Sequence, residues 1–365
     1  MSGSADELGQ LWEWFGRHQF RGYSPLYERI AEAVARDPSV LDLVRAAPPE
    51  AHLPPALLGA VHYLLLDGLD HPLADVYSGR SGADPAPLFL DVCRAHPDEL
   101  SALLAFRRVQ TNDCGRSALI GPGLTWITDR IGAPFALIDV GASAGLNLLC
   151  DRYRLDYGSH GATGPADSPV VAACEVLAGD PPISPSLPTP VSRLGIDRSP
   201  VDLADPADAR WLLACVWPDT GRLDRTAASI RLAQADLPTV LEGDAVETLP
   251  SVLDHLEDGT TAVVVTSWAF AYFALDQRRL FTELLADASH RRPVAWLSAD
   301  GAGTVDGIAE RSLTEPDSDA QAHVLGAVLF DDGVPDPTLL AVVQQHGAWI
   351  DWRAPGASGR EASVP

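Results

Sequence analysis

Apolar residues recur at intervals of three and four from Leu8 to about Arg130, as in Leu26, Ile30 and Val34 and again in Leu100, Leu103 and Leu104. That spacing lines one face of a helix, and Pro38, Pro48-Pro49 and Pro54-Pro55 divide the run into separate helices. Residues 57–66 are almost continuously apolar, which predicts a helix buried on most sides and carrying His62 and Tyr63. After Phe135 the pattern changes to short apolar or β-branched runs at 135–140, 191–196, 239–242, 262–267, 294–298, 324–330 and 348–352, alternating with helical stretches. Such alternation predicts an α/β domain with a mostly parallel, Rossmann-like sheet and helices on both faces. The last two runs, separated by Asp331-Asp332-Gly333 and a stretch compatible with a helix, are expected to close one edge of that sheet. Residues 157–190, punctuated by Gly161, Gly164, Pro165, Pro169 and Pro181-Pro182, read as an irregular insertion able to cover a site. The expected layout is a helical region at 1–130, the α/β domain at 131–354 and a disordered tail at 355–365, with residues 1–6 also disordered.

The first of these strands leads into the run Asp139-Val140-Gly141-Ala142-Ser143-Ala144-Gly145-Leu146-Asn147. An acid at a strand end followed by small residues is how an open α/β sheet presents a nucleotide, because glycine permits left-handed backbone and close approach of a ligand. The spacing Asp-x-Gly-x-Ser-x-Gly differs from the dinucleotide fingerprint, whose last gap is one residue longer. It resembles the first motif of class I S-adenosylmethionine-dependent methyltransferases. Such a site needs an acid at the end of the next strand for ribose hydroxyls, and Asp197 stands there, at a separation that the 157–190 insertion lengthens. Asp244-Ala245 resembles the turn that holds the adenine amino group in those enzymes; Asp244 as a plain helix cap is the alternative. Ser267, Trp268 and Tyr272 fall at the carboxyl edge of a further strand, where they could line an acceptor site, although a Trp packed over the sheet reads equally well.

Composition narrows the chemistry. The chain of 365 residues has no lysine, which removes Schiff-base catalysis and the Walker phosphate loop. A formal charge of −24 argues against nucleic acid and anionic membranes as partners. The start lacks the order of a secretory signal, and no apolar run is long enough to span a bilayer, so a cytoplasmic protein is expected. Five scattered cysteines form neither a disulfide framework nor a zinc site, and no metal is expected.

Two polar groups interrupt the helical region. His62 and His71, with Asp70 beside them, could supply a general base; a satisfied buried histidine and a helix-ending Asp70 are the structural alternatives. The run Gln110-Thr111-Asn112-Asp113-Cys114-Gly115-Arg116 is dense in donors that suit an anionic group on a substrate, or that tie a loop to its surroundings. Together with Ala60–Leu66, Asp70–Ala74, Asp151-Arg152-Tyr153, Gly195-Ile196-Asp197, Ala209-Arg210-Trp211 and Cys215-Val216-Trp217-Pro218, these motifs resemble an uncharacterised, mainly actinobacterial family, domain of unknown function 2332. The resemblance implies a methyltransferase-like core behind a helical N-terminal part, with no established activity. It departs from the family pattern at Asp113-Cys114 and at Thr266-Ser267-Trp268, which leaves any common substrate open.

The leading expectation is methyl transfer from S-adenosylmethionine to a small metabolite, with Asp139, Gly141, Ser143, Gly145, Asn147, Asp197, Asp244 and Ala245 around the cofactor. Asp70, Gln110, Thr111, Asn112, Arg116, Ser267, Trp268 and Tyr272 would face the substrate, and His62 or His71 would be the base. The alternatives are a cofactor-free elimination or ring closure on an anionic substrate in secondary metabolism, and a non-catalytic scaffold. Self-association or a small partner subunit stays open.

Overall fold

The computed structural model describes residues 5–132, 134–309 and 322–355. The chain divides into two compact units, Met1–Thr111 with Asp202–Ala227, and Asn112–Val201 with Ala228–Pro365. The division differs from the linear layout at 130. The helix at 117–131 groups with the sheet, and a segment between two strands of the sheet groups with the helices. The expected tail lies outside the described residues apart from Pro355, whereas Ala5 and Asp6 already belong to a helix.

The helical unit contains α1 (Ala5–Phe15), α2 (Pro25–Val34), α3 (Pro38–Ala46), α4 (Pro54–Leu66), α5 (Leu73–Tyr77), α6 (Pro85–Ala95) and α7 (Pro97–Phe106). After α8 (Ser117–Ile131), which belongs to the other unit, it receives α9 (Pro206–Ala214). The starts of α2, α3, α6 and α9 share one device. Ser24, Asp37, Asp84 and Asp205 accept a backbone N–H of the first turn, and the proline after each sits where no helical N–H is needed. Trp12, Phe20, Tyr27, Leu57, Val61, Phe89 and Trp211 form part of the core of this unit. No helix among the described residues is long and apolar enough to cross a membrane.

The sheet unit is built on strands β1 (Phe135–Val140), β2 (Arg154–Asp156), β3 (Ala162–Thr163), β4 (Val171–Ala173), β5 (Glu175–Ala178), β6 (Ser192–Asp197), β7 (Val240–Glu242), β8 (Thr261–Ser267), β9 (Val294–Asp300), β10 (Ala322–Asp331), β11 (Val334–Gln344) and β12 (Trp349–Trp352). Among the described residues nine of them form one sheet in the order β5-β12-β11-β10-β9-β8-β1-β6-β7. Strands β7, β6, β1, β8 and β9 are mutually parallel, so the chain runs outward to one side of β1 through β6 and β7, and to the other through β8 and β9. The order reverses between β1 and β8, the place where open sheets of this kind leave a crevice at their carboxyl edge. Of the remaining helices, α10 (Leu223–Ala235) carries the chain between units, while α11 (Ala245–Asp254) and α12 (Leu275–Ser289) cover one face, packing Leu249, Leu253, Phe281 and Leu285 with Ile138, Val140, Val264 and Trp296. The opposite face meets α8, where a Cβ at Gly123 would stand 2.6 Å from Leu297.

Two expectations are corrected. The stretch after Asp331-Asp332-Gly333 is not helical. Asp332 and Gly333 both have positive φ, 46° and 83°, the two-residue turn of an antiparallel hairpin joining β10 to β11. Pro335 and Pro337 disguise β11 as non-strand; they are tolerated because β12 pairs only with residues 341–343, leaving that part of β11 an edge. The 157–190 insertion is not wholly irregular either. It supplies β3 and β4 to a small sheet with β2, and β5 to the edge of the large one. It also lies on α8, where Tyr157 donates to the Ala118 carbonyl and Leu187 stands close to Gly121.

Candidate functional site

Residues at the carboxyl ends of β1, β6, β8, β9 and β11 meet at one edge of the sheet unit. Asp139, the penultimate residue of β1, points to the α8 face, because its neighbours in sequence, Ile138 and Val140, fill the core under α11 and α12. It is 2 % exposed, and neither carboxylate oxygen has a hydrogen-bond partner in the protein. Burial pushes the carboxyl up to about 7; the Arg116 guanidinium opposes the rise and the Asp197 carboxylate adds to it. A buried, unpartnered carboxyl beside a second carboxylate is costly to keep in a fold, which marks it as a candidate ligand-binding group.

The turn after β1 is held from within. Gly141 has φ +80°, and a Cβ there would come 2.4 Å from that of Ala269; Gly145 has φ +74° against Pro238. These glycines are required by backbone angle and by protein neighbours. The N–H groups of Gly141 and Ala142 donate to the Ile196 carbonyl, that of Ser143 to Asp197 Oδ2 at 2.8 Å, that of Gly145 to Ala142, and that of Leu146 to the Asn112 side chain at 2.9 Å. A loop whose N–H groups are used in this way is not a phosphate cradle of the dinucleotide kind. Ser143 nonetheless sits at φ +53°, a conformation non-glycine residues adopt at a cost. The amide nitrogen of Asn147 is buried without a partner, while its oxygen accepts from Ser117 at the start of α8.

Arg116 lies between these groups and β8. Its Nη1 donates to the Ser267 carbonyl at 3.1 Å and its Nε to the Gln345 carbonyl at 3.2 Å, and the guanidinium stacks 4.5 Å from the centre of the Trp268 ring. Trp268 is the second non-glycine residue strained at the edge, with φ +54°, and its indole nitrogen is buried without a partner. Asp300, at the end of β9, is buried; burial raises its carboxyl, and the N–H groups of Gly301, Ala271 and Phe270 partly offset that. The edge therefore gathers three carboxylates, of Asp139, Asp197 and Asp300, against Arg116. Asp300 and His346, whose Nδ1 stands 3.0 Å from Oδ2 of Asp113 in the polar run 110–116, were not among the residues expected. Asp300 ends its strand much as Asp139 ends β1, a signal present in the sequence; His346 follows the strand that its prolines conceal.

Asp244 and Ala245 take structural places. Asp244 caps α11, accepting from Val246 at 2.9 Å, and pairs with Arg198. Burial raises its carboxyl, but those partners outweigh it and hold the group below its usual range. Ala245 is buried in the first turn of α11. Tyr272 is 87 % exposed, in the short turn that follows β8. His62, Asp70, His71, Gln110 and Thr111 belong to the helical unit. There His62 is in the core, bonded through Nδ1 to the Ala214 carbonyl at 3.0 Å, and burial lowers it to about 4. His71 Nδ1 accepts the Leu73 N–H, so Nε2 carries the proton and donates to Asp91. Both ring nitrogens of His71 are thus engaged, and His62 takes the form of the buried, hydrogen-bonded histidine weighed as its alternative. Asp70 precedes the short turn that leads into α5.

A family model described as an uncharacterized protein conserved in bacteria (DUF2332) matches residues 10–352. No curated protein matches the chain.

Proposed function

Since the chain belongs to the DUF2332 family of uncharacterised bacterial proteins, we propose from its site alone that the sheet unit binds S-adenosylmethionine and aids methyl transfer to a small molecule. The observation that carries the reading is Asp139, a buried carboxyl with both oxygens unpartnered at the point where strand order reverses. Electrostatics favours a cation there, since three carboxylates face one guanidinium already engaged by two carbonyls and a Trp ring. The internally bonded turn disfavours a phosphate-bearing nucleotide, and a sulfonium cofactor has none. The same engagement of Arg116 weighs against the alternative in which this arginine receives an anionic substrate.

The residues fit such a cofactor. Asp139 and Asn147 offer an acceptor and a donor to an amino-acid end, and Asp197 keeps lone pairs for ribose hydroxyls after accepting from Ser143 and Ser199. When bound, the cofactor supplies an electrophilic methyl group. The protein's contribution is alignment and exclusion of water, which accounts for rigid loops and strained Ser143 and Trp268. The likeness of the order of the five parallel strands, β7-β6-β1-β8-β9, to that of methyltransferase sheets supports the reading as analogy of fold, while the hairpin β10–β11 beside β9 departs from it. Replacement Asp139→Asn is expected to weaken adenosylmethionine binding at pH 8 by on the order of tenfold or more, one charge-assisted contact. Calorimetry on a folded variant with unchanged affinity would remove Asp139 from the site.

A further inference from the structure

We infer that Asp139 is a proton-linked receptor for a cation: the ammonium at the amino-acid end of the cofactor binds as the carboxyl gives up its proton to solvent. The inference rests on the adenosylmethionine reading above. Asp139 stands second from the end of β1, 2 % exposed, and neither of its oxygens accepts a hydrogen bond from the protein. A carboxylate out of water and without donors is unfavourable, and the protonated group costs less to bury. A ligand that brings a positive charge and N–H donors together reverses that balance, because an ammonium stabilises the charged carboxyl far more than the neutral one. The neighbouring turn offers the complementary half of the match. The side-chain nitrogen of Asn147 is buried without a partner and supplies a donor to the carboxylate of the same amino-acid end.

The charges around Asp139 permit this exchange and do not replace it. From β6 the Asp197 carboxylate, fixed by the N–H groups of Ser143 and Ser199 at 2.8 Å each, opposes a second negative charge. Arg116, in the turn before α8, favours one, yet it donates to the carbonyls of Ser267 and Gln345 and not to Asp139. Arg116 also acts on Asp300 at the end of β9, and Asp113 of the same turn pairs with His346. Strand β8 contains no titratable side chain. In the helical turn Leu146–Arg152, Cys150 is a neutral thiol pushed up to about 12 by burial, Asp151 pairs with Arg193 of β6 at 2.6 Å, and Arg152 pairs with Asp236 at 2.6 Å. Asp129 and Arg130 lie in the last turn of α8, away from the start where Ser117 meets Asn147. Burial outweighs Arg116, and the Asp139 carboxyl stands at about 7. Below that pH the ligand-free protein holds the proton and binding releases it, so affinity weakens as pH falls; above it the carboxylate is already charged and no proton leaves.

The test is calorimetric titration of the full-length protein with adenosylhomocysteine and with adenosylmethionine at pH 6.5, in two buffers of different ionisation enthalpy. The difference in apparent heat counts the protons released. The ligand ammonium stays charged at this pH, since α-amino groups titrate at about 7.7–8.0. Both ligands carry the same amino-acid end, so each is expected to release about half a proton or more, and to bind about fourfold or more tightly at pH 7.5 than at pH 6. In Asp139→Asn the release disappears and affinity is level over that range, so variant and wild type converge toward pH 6. If the variant binds too weakly to titrate, the wild-type count decides, because it has to decline from pH 6.5 to pH 8. Binding without proton release, a count that does not decline, or a release that persists in Asp139→Asn overturns the exchange and leaves the adenosylmethionine reading standing. Failure of folded wild-type protein to bind either ligand at pH 8 overturns that reading and the exchange with it.

Discussion

Asp139 shows how one side chain couples stability to function. Its carboxyl is raised from an ordinary value of 3.8 to about 7, so between those limits the folded protein keeps a proton that the unfolded chain has lost. Stability then falls as pH rises through that window, by about 1.4 kcal/mol per unit, or roughly 4 kcal/mol in all. Asp139→Asn removes the charge and keeps the shape. Thermal melts should show the variant several degrees more stable than wild type at pH 8, with the advantage gone near pH 4. A variant no more stable at pH 8 would mean that the carboxylate has partners in solution. At this scale the sequence was partly legible, because an acid ending an apolar strand is visible as a pattern. Its lack of partners was not, since that depends on α8 and on which face of β1 the residue occupies. His62 shows the converse, a histidine among apolar residues satisfied by a carbonyl 152 residues away.

Among the elements, the turn after β1 tests how much of the site is backbone. Gly141→Ala places a Cβ at φ +80° against Ala269, and should cost at least about 1–3 kcal/mol, read by chemical denaturation. A cost below about 0.5 kcal/mol would show that the turn rearranges freely. The parallel strands were legible because each is a short apolar run bounded by Gly, Pro or Asp. Strand β11 was not, because its prolines mimic a loop, although Asp332-Gly333 carried the hairpin signal. The helix starts were written in Ser24-Pro25, Asp37-Pro38, Asp84-Pro85 and Asp205-Pro206. The assignment of α9 to the helical unit was hidden, because the segment carrying it lies between two strands of the other unit.

For the molecule as a whole, one buried group in each unit answers acid in the opposite direction, Asp139 in the sheet unit and His62 in the helical unit. In the helical unit burial lowers His62 from 6.5 to about 4, so the unfolded chain binds a proton in that window that the folded one refuses. Stability contributed there is present above pH 6.5 and lost toward pH 4, by roughly 3 kcal/mol at the same slope. Wild type should therefore lose more stability than His62→Gln between pH 7 and pH 5; equal losses would place the acid sensitivity elsewhere. The central claim, that the carboxylate-lined edge of the sheet takes S-adenosylmethionine, is tested most directly by calorimetric titration of the wild-type protein at pH 8. The titration uses adenosylmethionine and adenosylhomocysteine, with NADH as a control for general nucleotide affinity. The account predicts micromolar binding of the first two and none of the third. Binding of NADH alone, or of none of the three by a folded protein, would contradict it.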